Sequence, residues 1–216
     1  MRTAHRTVNG RGTDEFTVQK SRFIGVADRV ETEEDCRALI AACKKEYPQA
    51  KHYCSAWILD DQGIRKRADD DREPQGTAGM PMLAVLEHRG LSRVCCVAIR
   101  YFGGILLGTG GLARAYTQTA VLALDAAGIV TRVPAVEMKV RLSYPHWGAV
   151  QYRLETENKP VAEVQYSDQV SFTLYTEAEE LAYWEQTLAA LTGGGAEIMT
   201  GKEVWLSKPW KGDTDE

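Results

Sequence analysis

Apolar residues recur along this chain at two different spacings, and each change of spacing marks a change of element. From Phe16 to Val30 the apolar positions Phe16, Val18, Phe23 and Val26 fit an extended segment or a hairpin. At Thr32 the pattern switches. Three acids, Glu33, Glu34 and Asp35, follow a capping residue, and Leu39, Ile40 and Cys43 form a helical stripe that ends at Pro48. Acids there suit the positive end of a helix dipole. His52 to Leu59 and Arg93 to Ile99 are apolar runs that predict strands. Gly76 to Gly79 opens a helix through Leu83, Val85 and Leu86 to about His88, with Gly90 as its stop. Leu112, Tyr116, Ala120, Leu124 and Ala127 recur at helical spacing, predicting a helix packed on a sheet and closed by Gly128.

A second series begins at Pro134. Val136 to Leu142 alternates apolar and polar residues, as a half-buried strand does. A helix follows over His146 to Leu154, then strands Val161 to Tyr166 and Val170 to Tyr175 around a Ser167–Asp168 turn. Glu177 to Leu191 predicts a helix and Glu197 to Leu206 a last strand. The order β-α-β-β-α-β is the ferredoxin-like arrangement. Three polar stretches are expected to lack regular structure: residues 1–14, the charged break Asp60 to Gln75, and the tail from Ser207. The chain therefore reads as two domains, 1–133 and 134–216.

Charge sharpens that division. The first 133 residues hold 19 Lys and Arg against 16 Asp and Glu, or +3, and the remainder hold 7 against 14, or -7, out of totals of 26 and 30. An anionic partner is thus expected on the first domain. No apolar run approaches the ~20 residues of a membrane span, and the first residues lack a signal-peptide core, so a cytoplasmic location is expected. Five cysteines, Cys36, Cys43, Cys54, Cys95 and Cys96, form no CxxC pair. They read as reduced, buried thiols, with Cys95 and Cys96 pointing to opposite faces of one strand. His5, His52, His88 and His146 are scattered, so neither a metal nor another cofactor is expected.

The candidate chemistry lies in Arg100 to Tyr116, RYFGGILLGTGGLARAY, between a strand and a helix. Gly103, Gly104, Gly108, Gly110 and Gly111 suit a backbone that takes positive φ or approaches a ligand closely. Gly110 and Gly111 are expected to open the helix, whose free amides favour an anion. Arg100 and Arg114 flank the loop, and Tyr101 could stack on a base. A second glycine-containing helix start, with Arg72, Gly76, Thr77 and Gly79, could share that surface. Asp71 and Glu73 are candidate acid, base or metal-ligating carboxylates. A tight packing turn would explain the same glycines.

DREPQGTAGMP (Asp71 to Pro81) and AIRYFGGILLGTGGLARAYTQ (Ala98 to Gln118) resemble the two signature blocks of the IMPACT/YigZ family, and KSRFI (Lys20 to Ile24) and HYCSAW (His52 to Trp57) match weaker ones. The resemblance implies an α+β protein. Its N-terminal domain would be two-layer α/β, like the second domain of a ribosomal small-subunit protein, GHMP kinases and domain IV of elongation factor G. Its C-terminal domain would be ferredoxin-like. It also implies a non-catalytic, translation-linked regulator binding RNA, ribosome or a translation factor through the glycine-rich face. An enzyme acting on a phosphorylated small molecule and a protein–protein regulator without nucleic-acid contact remain alternatives. Arg72 stands where the family pattern has glycine, and Met80 and Leu106 stand where it has cations.

Overall fold

The computed structural model describes residues 3–159 and 161–210, which form two compact units, one of residues 5–131 with 208–210 and one of residues 132–207 with 3–4. The first unit contains β1 (His5–Val8), β2 (Gly12–Val18), β3 (Ser21–Arg29), α1 (Glu33–Glu46), β4 (His52–Ile58), β5 (Lys66–Asp69), α2 (Gly79–His88), β6 (Val94–Tyr101) and α3 (Gly108–Ala127). Its antiparallel sheet runs β2-β3-β6-β4-β5. β6 is central and buried along nearly its whole length, which is why it reads as a continuous apolar run rather than an alternating one.

α2 and α3 cover one face of this sheet, packing Tyr116, Leu124 and Met82 against Phe23, Cys54, Cys96 and Ala98. α1 covers the other face, where Cys36, Leu39 and Cys43 meet Ile24, Trp57, Cys95 and Val97. The two layers expected from the sequence are β-sheet and α2–α3, and α1 adds a helical layer opposite. Cys95 and Cys96 do face opposite ways. All five cysteines are buried, and burial pushes the Cys43 thiol up to about 11 and Cys96 to about 12. α1 is capped as its sequence indicates: Thr32 Oγ1 accepts from the Asp35 amide at 3.2 Å, and Asp35 accepts from the Thr32 amide at 2.9 Å.

Two expectations of irregular chain are overturned. Within residues 1–14, residues 5–8 form β1 and 12–14 start β2, which runs on into the segment expected to be extended; they are held because Thr7 and Val8 are fully buried and β2 pairs with β3. The charged break Asp60 to Gln75 contains β5, whose alternating Lys66, Arg67, Ala68 and Asp69 pair with β4. An edge strand tolerates charge on its open side, so composition alone misread it.

The second unit contains β7 (Ile129–Leu142), which begins just before it, then α4 (Tyr144–Thr156), β8 (Val161–Tyr166), β9 (Val170–Glu177), α5 (Leu181–Thr192) and β10 (Glu197–Pro209). β9 lies between β7 and β8, and β10 pairs with β7. Met138, Val140, Leu142, Phe172, Leu174, Trp184 and Leu188 form its core. The β-α-β-β-α-β order is the one the pattern gave. Pro134, where the second series was expected to begin, lies inside β7, and a single helical turn at Ala178–Glu180 precedes α5. Of the tail from Ser207, expected to be irregular, residues 207–209 belong to β10 and 211–216 lie outside the described residues. No helix among the described residues is long and apolar enough to cross a membrane.

Candidate functional site

The end of β6 delivers Arg100 to the base of the glycine loop. Its side chain is only 5 % exposed and its Nη1 lies 2.7 Å from Glu73 Oε1, a carboxylate 4 % exposed. The same oxygen accepts the Tyr116 hydroxyl at 2.8 Å, and His52 Nε2 stands 3.7 Å away. Arg100 Nη2 donates to Ser21 Oγ at 3.4 Å. The guanidinium is sandwiched between Phe23 and Phe102, with centroid distances of 5.3 and 5.4 Å. Burial, with Cys54 and Glu73 nearby, pushes the Tyr116 phenol far above its usual range, so it stays protonated and donates. Arg100 is therefore not the free cation expected from the sequence. It neutralises a buried carboxylate and braces β6 against the 71–76 turn.

That turn is built by three consecutive aspartates. Asp69 Oδ1 accepts from the Asp71 amide at 2.9 Å, and Asp71 Oδ2 accepts from the Tyr53 amide at 2.7 Å. Asp70 accepts from three amides, Gly76 at 2.7 Å, Ala78 at 3.0 Å and Gly79 at 2.8 Å. Partial burial would raise the Asp70 carboxyl, but these amides outweigh it and hold it below the usual carboxylate range. Thr77 Oγ1 donates to the Pro74 carbonyl at 2.6 Å. The α2 start thus carries its own anion: the amides of Gly76 and Gly79, expected at a ligand surface, donate to Asp70, and the Thr77 hydroxyl donates to the Pro74 carbonyl. Asp71 and Glu73 are likewise engaged as acceptors, and the described residues contain no group of three or more His, Cys, Asp or Glu that could hold a metal.

The α3 start is different. The helix opens at Gly108, two residues earlier than expected, with Leu107 at the cap position and, among the described residues, no side chain capping it. The amides of Gly108, Thr109 and Gly110 precede the first intrahelical acceptor position, whereas the Gly111 amide faces the Leu107 carbonyl in helical register. Gly104 and Gly108 take positive φ, +86° and +70°. Gly103 serves close approach instead: a Cβ there would fall 2.0 Å from the Lys20 carbonyl carbon, and its amide donates to Ser21 Oγ at 3.2 Å. Arg114 is exposed and folds back over the start, its Nη1 3.8 Å from where a Gly110 Cβ would lie. Tyr101 is half-buried and donates to the Pro48 carbonyl at 3.0 Å, so its hydroxyl is occupied.

Between the turn and the loop lies a cavity of about 390 Å³ lined by Lys51, His52, Arg72, Glu73, Pro74, Arg100, Phe102, Leu106, Leu107, Gly108, Thr109 and Leu112. Its floor is the Arg100–Glu73 pair, one end is the open α3 start, and Lys51 and Arg72 stand on its rim. Leu106 is 84 % exposed, Ile105 41 % and Phe102 39 %. Exposed aliphatic groups at a glycine loop are unusual for a surface that need only turn the chain. Of the residues expected at this site, Arg72, Arg100, Gly108 and, over the helix start, Gly110 and Arg114 are brought together. Gly76, Thr77 and Gly79 are not. Lys51, His52, Asp70 and the hydroxyl of Tyr116 were missed, and only the run of three aspartates before a glycine helix start signalled one of them.

The chain is similar over its length to known proteins. Residues 19–124 match the model of the Impact N-terminal domain, and residues 140–194 match a domain of unknown function, DUF1949. The IMPACT family member YvyE of Bacillus subtilis (strain 168) is 37 % identical over 208 residues, spanning 96 % of each chain. The chain belongs to the IMPACT family. A second IMPACT family member, YigZ of Escherichia coli (strain K12), is 31 % identical over 188 residues, 86 % of this chain and 92 % of that one. A solved structure described as that of a hypothetical protein superposes with a TM-score of 0.60 at 28 % identity, covering 94 % of this chain and 99 % of its own. Within the IMPACT family pattern that the sequence resembles, glycine at position 72 has a physical reason: Arg72 sits at φ +70°, where a side chain is strained. Met80 and Leu106, which replace cations of that pattern, are both exposed, so the substitutions exchange charge for apolar surface.

Proposed function

We propose that this IMPACT family protein is a non-catalytic, translation-linked regulator that holds a partner on the glycine-rich face of its N-terminal domain. Of the partners the resemblance implies, the face fits a protein segment of a translation factor or ribosomal component best. The single observation that carries this reading is the pairing of an uncapped twenty-residue helix with exposed Phe102, Ile105 and Leu106 around one cavity. Apolar contacts beside a small anion site suit an acidic, apolar polypeptide. The enzymatic alternative loses its carboxylates, since Asp71 and Glu73 are spent as internal acceptors.

RNA is the second reading. It is favoured by the exposed cations Lys51, Arg72 and Arg114 beside the same helix start. Three phosphate contacts would give a salt slope of about -2 on a log–log plot for a single strand. Cosedimentation of the protein with ribosomes, with and without nuclease and over a range of salt, tests the proposal. Association that survives nuclease and falls gently with salt supports a protein partner. Loss on nuclease treatment with a steep salt dependence supports RNA. No association with ribosomes or ribosome-bound factors refutes the translation-linked role.

A further inference from the structure

The cavity holds two polar features that the fold itself leaves unused. One is the α3 start, where Gly108, Thr109 and Gly110 are exposed and no side chain of the described residues caps the helix. The other is Arg100 on the cavity floor. Its Nη1 goes to Glu73 and its Nη2 to Ser21, but its buried Nε has no acceptor among the described residues. A donor buried without a partner is costly and rare, and both features ask for an acceptor carrying negative charge. The charges around the cavity agree: Lys51, Arg72 and Arg100 line it with Glu73, whose Oε1 is already engaged by Arg100 and Tyr116, while Asp71 stands 3.7 Å from Arg72 Nε, which leaves Lys51 to carry the excess positive charge.

The rest of the lining is apolar. Pro74, Phe102, Leu106, Leu107 and Leu112 form walls around a volume of about 390 Å³, large enough for one aliphatic side chain together with its own main chain. An internal peptide segment would bring a neutral carbonyl to the helix start. A phosphodiester would bring charge but would set a ribose and base against largely aliphatic walls, with Phe102 and the edge-placed His52 as the aromatic rings among the lining residues. A chain terminus brings both required chemistries at once, a full negative charge on two oxygens and an adjoining apolar side chain.

We infer that the cavity between the 71–76 turn and the 102–109 loop captures the C-terminal α-carboxylate of a partner polypeptide whose last residue is aliphatic. The inference rests on the proposed reading of this face as a protein-binding surface. The carboxylate sits at the Gly108–Gly110 amides, which donate to it. The last side chain enters between Phe102, Leu107 and Leu112. Acidic residues just upstream meet Lys51 and Arg72 on the rim. Binding reorients Phe102, whose ring lies over Arg100 and is partly exposed, and this brings the ligand within reach of the Arg100 Nε.

The test uses the full chain labelled with ¹⁵N and an acetylated tetrapeptide, two glutamates followed by two leucines, at millimolar concentration. The free acid is compared with the same peptide ending in an amide and with a 5′-phosphorylated oligouridylate. The free acid should shift the amide resonances of Gly108, Thr109 and Gly110 and bind at least about tenfold more tightly than the amide, roughly the effect of losing one charged hydrogen-bonding contact. Leu106→Asp, at an exposed rim position, should weaken it by a similar factor without lowering the melting temperature, and Thr109→Pro, which removes one donor in the first turn, should weaken it too. Equal binding of acid and amide overturns the terminus inference and leaves the protein-binding reading standing. Shifts of the same amides by the oligonucleotide alone overturn both. Absence of any shift by the free acid overturns the inference as well.

Discussion

Removing the charge of Glu73 separates a structural brace from a ligand site. Glu73→Gln keeps the size of the side chain but leaves Arg100 without its counter-charge at a site where the two side chains are only 5 % and 4 % exposed. At 2.7 Å separation the attraction is about 6 kcal/mol at an effective dielectric constant of about 20. Much of that offsets the desolvation of both groups, so the pair's net contribution is small. Stranding one partner is a different matter, and typically costs about 3–5 kcal/mol. The Tyr116 hydroxyl, donating to the same oxygen at 2.8 Å, would also lose a charged acceptor. We expect Glu73→Gln to destabilise the N-terminal unit by about 3–5 kcal/mol and the double variant Glu73→Leu/Arg100→Met by clearly less. Denaturant unfolding, followed through the amide resonances of β6, measures this unit separately from the C-terminal one. If Glu73→Gln is as stable as the parent within about 1 kcal/mol, the lower edge of what such an assay resolves, the pair is not a brace. Arg100 would then be available to a ligand, as its sequence position first suggested.

Other outcomes follow from the same geometry. Arg114→Ala should leave stability unchanged, because the side chain is exposed, while weakening partner binding by about 1–3 kcal/mol in a titration; normal binding with a lower melting point would make it a packing residue. Gly104→Val has open space but φ +86° and should cost about 1–3 kcal/mol in strain, whereas Gly103→Ala must push the loop off the Lys20 backbone and should also lower the melting temperature. Asp70→Asn should destabilise the protein at neutral pH by about 1–2 kcal/mol, the scale of a lost helix cap. Because the native Asp70 carboxyl lies below its ordinary 3.8, its contribution is complete above that value and is lost as pH falls through the native one. The gap between parent and variant should therefore close in strong acid, and a gap that persists there would contradict the capping role. Cys43, Cys54 and Cys96, buried and pushed up by burial, should resist a thiol reagent until the chain is denatured.

Periodicity located most helices and strands because the cores of both units are built from regular apolar stripes, such as Leu112, Tyr116, Ala120 and Leu124 on α3. It failed where polar residues are structural. β5 carries Lys66, Arg67 and Asp69 on an edge strand, and the first half of β2 carries Asp14 and Glu15 in the same way, so the apolar signal is missing from β5 and starts only at Phe16 in β2. The site was legible as a glycine loop meeting a helix, and the open α3 start lies within it. What could not be read was which helix start the chain itself caps. Asp70 sits six to nine residues before the amides it caps, and Glu73 lies 27 residues from Arg100. Long-range pairing of this kind leaves no local pattern, so two arginines and two glycine starts looked equivalent, although Arg100 is paired with a buried carboxylate and Arg114 is exposed.

Paired surface substitutions test the central claim, that the glycine-rich face is the recognition surface. Leu106→Asp and Ile64→Asp both replace an exposed aliphatic side chain, 84 % and 73 % exposed, but only Leu106 lines the cavity. Quantitative cosedimentation of each variant with ribosomes and their bound factors should show Leu106→Asp losing at least about tenfold in affinity, about 1.4 kcal/mol, while Ile64→Asp binds like the parent. Equal binding by Leu106→Asp and the parent would contradict the claim and leave the loop as a packing turn.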